Sequence, residues 1–281
     1  MLIGRAFAPA HITGFFEICE DSDPRKMGSR GCGFTLDVGV TTEVKIGIET
    51  FIELNGAREK AETSRWVVNA LASDVQVEVR SKVEVPIGCG LGASGAGALS
   101  TAFALNQALD LGKSFNELAL IAHIAEVENR TGLGSVTGQC YGGVVIRKQP
   151  GGVGFGEVDR IPMRGIDVFY IAMGAIPTKE VITSSIAKKK INTSGREALK
   201  ALLKKPTFEN FMALSKKFSY EIELLSSRAR DIIEAVEASG GKASMAMIGD
   251  TVFAVDVEEE LLRRFGEVKK SKIGFQGVHL I

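Results

Sequence analysis

The order of elements along this chain predicts an α+β fold, and three observations carry that expectation. Strand-like and helix-like stretches follow one another without the regular alternation of a doubly wound parallel sheet. Val75 to Val79 alternates apolar and polar residues with period two, whereas Ala96 to Leu109 is rich in alanine and leucine at helical spacing. Between them lies Pro86-Ile87-Gly88-Cys89-Gly90-Leu91-Gly92-Ala93-Ser94-Gly95-Ala96, a turn with four glycines. Taken in order, Glu43 to Phe51 reads as strand, followed by the strand and helix on either side of that turn. Ser114-Phe115-Asn116-Glu117 is a capping box that opens a helix whose apolar face is Leu118, Ile121, Ala122 and Ala125. Val144 to Arg147 is strand-like, and Pro150 to Gly156 is dense enough in Pro and Gly to act as a connector or hinge. A domain over residues 1–150 and a second over 151–281 are expected on either side of it. The second half predicts a strand at Asp167 to Ala172 and helices at about Pro206 to Ser219 and Tyr220 to Ser239. Leu224, Leu225, Ala229, Ile232, Ile233 and Val236 form the apolar stripe of the latter. A strand at Thr251 to Val257 and a helix at Val257 to Phe265 complete the pattern.

Composition bounds the function. The 281 residues are 45% hydrophobic and 24% charged, enough for one large domain or two small ones with substantial cores. Lysine and arginine together number 34, as do aspartate and glutamate, so no general charge favours nucleic acid or an anionic membrane. Lys188-Lys189-Lys190 and Lys269 to Lys272 read as solvated faces. No stretch approaches the roughly 20 apolar residues of a membrane span, and no signal-peptide pattern opens the chain. Cys19, Cys32, Cys89 and Cys140 stand apart with no C-x-x-C, which argues against zinc and a disulfide framework and fits a reducing cytoplasm.

The glycine turn carries the chemistry. A helix opening after such a turn aims unpaired N–H groups and its positive dipole end at an anion, and a nucleotide phosphate is the expected one. A Walker loop would need a lysine after the glycines, and none is there. Gly90, Gly92 and Gly95 spell G-x-G-x-x-G, with Asp110 near the spacing of a ribose-binding acid. That acid should end a second strand, however, and the residues before Asp110 read as helix. The third pattern is P-x-x-x-G-L-G-x-S-x-A, and through Pro86, Gly90, Leu91, Gly92, Ser94 and Ala96 the loop resembles the nucleotide loop of the GHMP kinases. The resemblance implies ATP over Pro86, Gly88, Gly90, Leu91, Gly92, Ala93, Ser94, Gly95 and Ala96.

On the next helix His123, Glu126 and Arg130 share neighbouring faces, which by itself reads as a surface salt-bridge ladder. The family resemblance implies instead that Glu126, with Ser94, holds the Mg²⁺ of ATP. Mg²⁺ takes few protein oxygens besides phosphate and water. Glu128 is the alternative ligand, though it projects roughly 200° around the helix from Glu126.

Four further runs are similar to those of archaeal pantoate kinases. They are Ala8-Pro9-Ala10-His11-Ile12-Thr13-Gly14-Phe15-Phe16, Gly28 to Gly33, Ala125-Glu126-Val127-Glu128 with Thr131 to Gly134, and Gly142 to Arg147. The stretch Gly240 to Gly249 resembles the third GHMP motif of the same family. This resemblance implies an S5 domain 2-like N-terminal domain, a ferredoxin-like C-terminal domain, and transfer of the γ-phosphoryl of ATP to the 4-hydroxyl of pantoate. It also implies an acceptor site of His123, Arg147 and Thr178, joined by His11 of the opening motif. A guanidinium fork such as Arg147 suits a carboxylate.

One position departs from the pattern. Counting back from Gly142-Gly143, the catalytic aspartate of mevalonate kinases and most pantoate kinases falls on Ser135, and Gly132 to Gln139 holds no carboxylate. Direct transfer, a replacement base, or a homologue that has lost or changed its activity all stay open. So do a GHMP kinase for another small hydroxy acid or polyol, a non-catalytic nucleotide-binding protein, and a homodimer as the assembly.

Overall fold

The computed structural model describes residues 3–176 and 178–281; Pro177, in the turn expected before Thr178, lies outside them. A long antiparallel hairpin organises the chain: β1 (Ile3–Cys19) pairs with β2 (Gly28–Ile46) along nearly its whole length. At about 3.3 Å per residue each strand spans roughly 55 Å, long enough to serve two packing layers. β3 (Phe51–Leu54), β4 (Ala57–Arg58), α1 (Glu62–Leu71) and β5 (Val77–Val83) follow. Then come α2 (Ala93–Leu109), α3 (Phe115–Asn129), α4 (Ser135–Tyr141), β6 (Val144–Gln149) and β7 (Glu157–Ile161). The remainder is β8 (Asp167–Ala175), α5 (Thr178–Thr183), α6 (Ser185–Lys204), α7 (Phe208–Glu221), α8 (Ser227–Ala238), β9 (Lys242–Met245), β10 (Gly249–Val255), α9 (Glu259–Arg263), β11 (Lys269–Lys272) and β12 (His279–Leu280). Among the described residues the strands form two sheets. In the first, β12-β1-β2-β5-β3-β4 is extended by β6 on β2 and β7 on β6; the second runs β11-β8-β10-β9. This is the α+β arrangement expected.

Small residues set how closely the layers approach. A Cβ on Gly4 would come within 1.9 Å of the Ala104 carbonyl, so α2 lies directly on the first half of β1. There Ala6, Ala8, Val40 and Val44 bury against Leu99, Ala102 and Leu105. In the second half the hairpin changes to large side chains, and Ile12, Phe15, Phe16 and Phe34 meet Ile191 and Leu199 of α6, Phe211 and Phe218 of α7, and Phe253 of β10. Phe34 stands edge-on to Phe253 with centroids 5.4 Å apart. The other face of the second sheet is covered by α8 through Ile232, Ile233 and Val236.

Several expected boundaries move. Glu43 to Phe51 is not one strand: β2 ends at Ile46, Ile48 is fully exposed, and β3 restarts parallel to β5. The helix expected from Tyr220 begins at Ser227, because Ser226 caps it by accepting the Ala229 N–H at 3.1 Å, while α7 runs on through Glu221. Pro150 to Gly156 is the turn of the β6–β7 hairpin within the first sheet. The capping box forms as read, Ser114 N–H donating to Glu117 at 2.9 Å. Lys188 pairs with Glu20 at 2.6 Å and Lys190 with Glu223, while Lys269, Lys270 and Lys272 lie exposed on the edge strand β11. The four cysteines are unpaired, and no described helix is long and apolar enough to cross a membrane.

Candidate active site

The glycine turn runs from the end of β5 into α2, and its shape depends on positive φ angles of 79°, 79° and 66° at Gly88, Gly90 and Gly92. Its carbonyls are consumed by the protein. Thr251 Oγ1 donates to the Cys89 carbonyl at 2.7 Å, the His11 N–H to Leu91 at 3.0 Å, and Gln139 Nε2 to Gly92 at 2.8 Å. Gly92 caps α2 without a side-chain acceptor, so the first-turn N–H groups remain available to an anion. The turn before β10 packs so closely that a Cβ on Gly249 would fall 2.1 Å from the Cys89 carbonyl.

The loop forms one wall of a cleft of about 240 Å³. Gly88, Gly90, Leu91, Gly92, Ala93, Ser94, Glu126, Ser135, Arg147 and Thr178, all expected at a site, line it together. Met247 and Ile248 of the Gly240–Gly249 motif close it from the second sheet. Pro86, Gly95 and Ala96 do not line it, though Gly95 stays close beneath. A Cβ there would meet Gln139 Oε1 at 2.9 Å and Glu126 Oε2 at 3.3 Å.

Glu126 points inward from α3. It is buried, and Oε1 accepts from Thr131 Oγ1 at 2.7 Å. Burial raises its pKa, with Thr131 and Ser94 hydroxyls opposing the shift. The surface ladder with His123 and Arg130 does not form, and Glu128 is exposed. Among the described residues no cluster of three or more acidic, His or Cys side chains could hold a metal. A divalent ion here would have Glu126, Ser94, phosphate oxygens and water, a donor set that suits Mg²⁺.

Arg147 faces Gly31 across β6 and β2 and is only 2% exposed. Among the described residues its Nε and Nη1 have no hydrogen-bond partner, and burial lowers its pKa to about 10. Gly134 covers it: a Cβ there would lie 2.4 Å from Ser29 Oγ and 2.6 Å from Arg147 Nε. A buried cation with neither a carboxylate nor full hydrogen bonding is costly, and an anionic ligand is what would relieve it. Ser135 lines the cleft at the start of α4, and Thr178 lines it at the start of α5.

The two histidines of the expected acceptor site lie behind the lining. His123 is buried, and its Nε2 meets the Met27 carbonyl at 2.9 Å, tethering the turn between β1 and β2. Burial lowers its pKa. His11 is buried under the loop, its pKa held well below the usual value by burial and by the Arg147 charge.

Thr13, Ser29 and Gln139 were not singled out in the sequence. Neither was a second cavity of about 200 Å³ beside the loop, lined by Val40, Leu54, Ala61, Thr63, Ser64 and Val83 and sharing Ile87, Ala93, Ser94 and Thr131 with the cleft. Its walls come from separate strands and α1, which no local motif joins. Thr13 did sit in a quoted motif, between Ile12 and Gly14, and its hydroxyl was the available signal.

Residues 60–143 match the family model for the GHMP kinases N terminal domain. The pantoate kinase of Methanocaldococcus jannaschii is 39% identical over 261 residues, covering 91% of this chain and 93% of that protein. That of Thermococcus kodakarensis is 37% identical over 274 residues, covering 92% and 89%. A solved structure described as a phosphotransferase related to the CoA biosynthesis pathway superposes with a TM-score of 0.89 at 32% identity, over 100% of this chain and 99% of that one. A homoserine kinase from Cytophaga hutchinsonii shares the fold, with a TM-score of 0.71 at 17% identity over 100% and 98% of the two chains. With the phosphate loop, the buried carboxylate and the unpaired arginine gathered in one cleft, these likenesses establish that the chain belongs to the pantoate kinases of the GHMP kinase family.

Proposed function

We propose that this chain transfers the γ-phosphoryl group of ATP to the 4-hydroxyl of pantoate. The observation that carries the acceptor assignment is Arg147, buried, cationic and unpaired, in the same cleft as the phosphate loop. The apolar cavity beside α1 takes the nucleoside, and the phosphates lie along the loop from Gly90 to Gly95 toward the N-terminus of α2. Arg147 takes the pantoate carboxylate, Thr178 hydrogen-bonds the acceptor, and Phe16, Leu133 and Met247 offer apolar surface to its geminal methyl groups. Ser94 and Glu126 would hold Mg²⁺, which when bound would neutralise charge on the nucleotide phosphates. Ser135 cannot act as a base near neutral pH. Phosphoryl transfer through a loose transition state depends chiefly on alignment and charge stabilisation, so the acceptor hydroxyl attacks the γ-phosphorus directly. Four unpaired cysteines accord with a cytoplasmic setting.

The test is ATP-dependent ADP release measured with pantoate, pantothenate, mevalonate, homoserine and shikimate. Pantoate should give a kcat/KM at least about 100-fold above every other acceptor, since all carry a carboxylate and a hydroxyl and only the matching spacing between the two, with geminal methyl groups against Phe16, Leu133 and Met247, fills the cleft. A higher value for another acceptor would move the assignment to that compound. Tight ATP binding with no turnover of any would favour a binding protein.

A further inference from the structure

β1 crosses the floor of the cleft between two interruptions in its pairing with β2, one between Pro9 and His11 and the other between Thr13 and Phe15. Such irregularities re-aim side chains and gather beside active sites. The backbone between them is tied at both ends, the His11 N–H to the Leu91 carbonyl of the phosphate loop and the Thr13 carbonyl to the Met247 N–H, each at 3.0 Å. His11 and Thr13, two apart on a strand, project to one face. Thr13 lines the cleft, and its Oγ1 lies 3.5 Å from His11 Nδ1, at the long end of hydrogen-bond range. Gly33 and Gly138 pack closely against the imidazole, for a Cβ on either would come within 2.7 Å or 2.5 Å of Nε2. Nε2 itself has no partner, so Thr13 is the one hydrogen-bonding neighbour of the ring among the described residues. A buried imidazole with an orphaned nitrogen carries a cost that an apolar side chain would avoid.

We propose that Thr13 is a catalytic residue that aligns the acceptor hydroxyl, and that His11 is the positioning residue that fixes the Thr13 hydroxyl. This deepens the kinase reading above and rests on it. Thr13 donates its O–H to Nδ1 of a neutral ring, and its oxygen then accepts the O–H of the acceptor. The acceptor lone pair is thereby directed at the γ-phosphorus. Burial and the neighbouring Arg147 charge both keep the ring uncharged, as an accepting Nδ1 requires. In the step, the acceptor oxygen–γ-phosphorus bond forms, the bond from γ-phosphorus to the β,γ-bridging oxygen breaks, and ADP leaves. The acceptor proton passes to an oxygen of the transferred phosphoryl group, so neither Thr13 nor His11 changes its proton count. Ser135 also lines the cleft, but among the described residues no hydrogen-bonding partner orients its hydroxyl, whereas the Thr13 hydroxyl is oriented in advance.

The experiment measures kcat, both KM values, ATP affinity by calorimetry and Tm for Thr13→Val, Thr13→Ser, His11→Leu and His11→Asn. Thr13→Val should lose about 100-fold in kcat while ATP affinity stays within about threefold, and Thr13→Ser should recover most of the loss. His11→Asn, whose amide oxygen can stand where Nδ1 was, should retain more kcat than His11→Leu at comparable Tm. If Thr13→Val does not fold, Thr13→Ala carries the same comparison. A kcat for the hydroxyl-free variant within about threefold of wild type would overturn the proposal, as would equal losses in the Val and Ser variants. Wild-type turnover of pantoate judges the acceptor assignment separately. Without it, the same variant ratios are measured on whichever hydroxy acid the wild type phosphorylates.

Discussion

Arg147 holds its charge in the wall of the cleft, only 2% exposed, and among the described residues no carboxylate pairs with it. Burial lowers its pKa to about 10, which still leaves the guanidinium protonated near neutral pH, so the cleft keeps a fixed cation on its acceptor side. Removing one partner of a desolvated, hydrogen-bonded charge pair costs about 2–5 kcal/mol. Arg147→Ala should therefore raise the KM for pantoate more than tenfold, by about that energy, and leave the KM for ATP nearly unchanged. Steady-state kinetics with each substrate varied in turn checks this, and equal effects on both would make the residue structural. The arginine was legible in the sequence through the motif around Gly142-Gly143, as was Glu126 through its place on the helix after the loop. The isolation of Arg147 was not, because it depends on which side chains from β2 and α4 fail to reach it. His123 shows the converse: helix spacing puts it near Glu126, but its orientation toward the Met27 carbonyl is set by where the β1–β2 turn packs.

Between single residues and the whole, the loop and α4 act on each other. Gln139 is fully buried in the middle of α4, and its bond to the Gly92 carbonyl holds the residue that starts α2 in the left-handed conformation. Ser135, at the other end of the same short helix, faces the acceptor side. Gln139→Leu keeps much of the side-chain volume and removes the donor. It should weaken ATP binding by about 1 kcal/mol, roughly fivefold, with little change in the KM for pantoate, as titration calorimetry and kinetics can show. At this scale the sequence was most readable where local chemistry decides the outcome: the capping box of α3, the alternation leading into β5, and the apolar stripe of α8 from Ala229 to Val236. It was least readable where packing decides. α1 and α6 went unassigned, although Ile191, Ala198, Leu199 and Leu202 bury one face of α6 against the far half of the hairpin. The single strand expected from Glu43 to Phe51 breaks after Ile46, where β2 reaches Val77, the first residue of its partner β5, and the chain returns as β3 parallel to β5.

In the molecule as a whole, one hairpin joins the two cores, with alanines under α2 at one end and phenylalanines against α6 and α7 at the other. The cleft lies where that change occurs. The phosphate loop comes from the first sheet, Met247 and Ile248 from the turn of the second, and Thr13 from the strand between them. The Met247 N–H to Thr13 carbonyl bond and the close seat of Gly249 on Cys89 lock these parts together. This assembly moves a phosphoryl group from the loop to the hydroxyl of an acceptor whose carboxylate Arg147 holds, with no carboxylate at Ser135. Phosphorus NMR of the wild-type protein incubated with ATP, Mg²⁺ and pantoate tests it most directly. The expected result is a single phosphomonoester, coupled to the C4 methylene protons of pantoate and formed mole for mole with ADP. ADP accumulating with inorganic phosphate alone, or ATP remaining intact while bound, would contradict it.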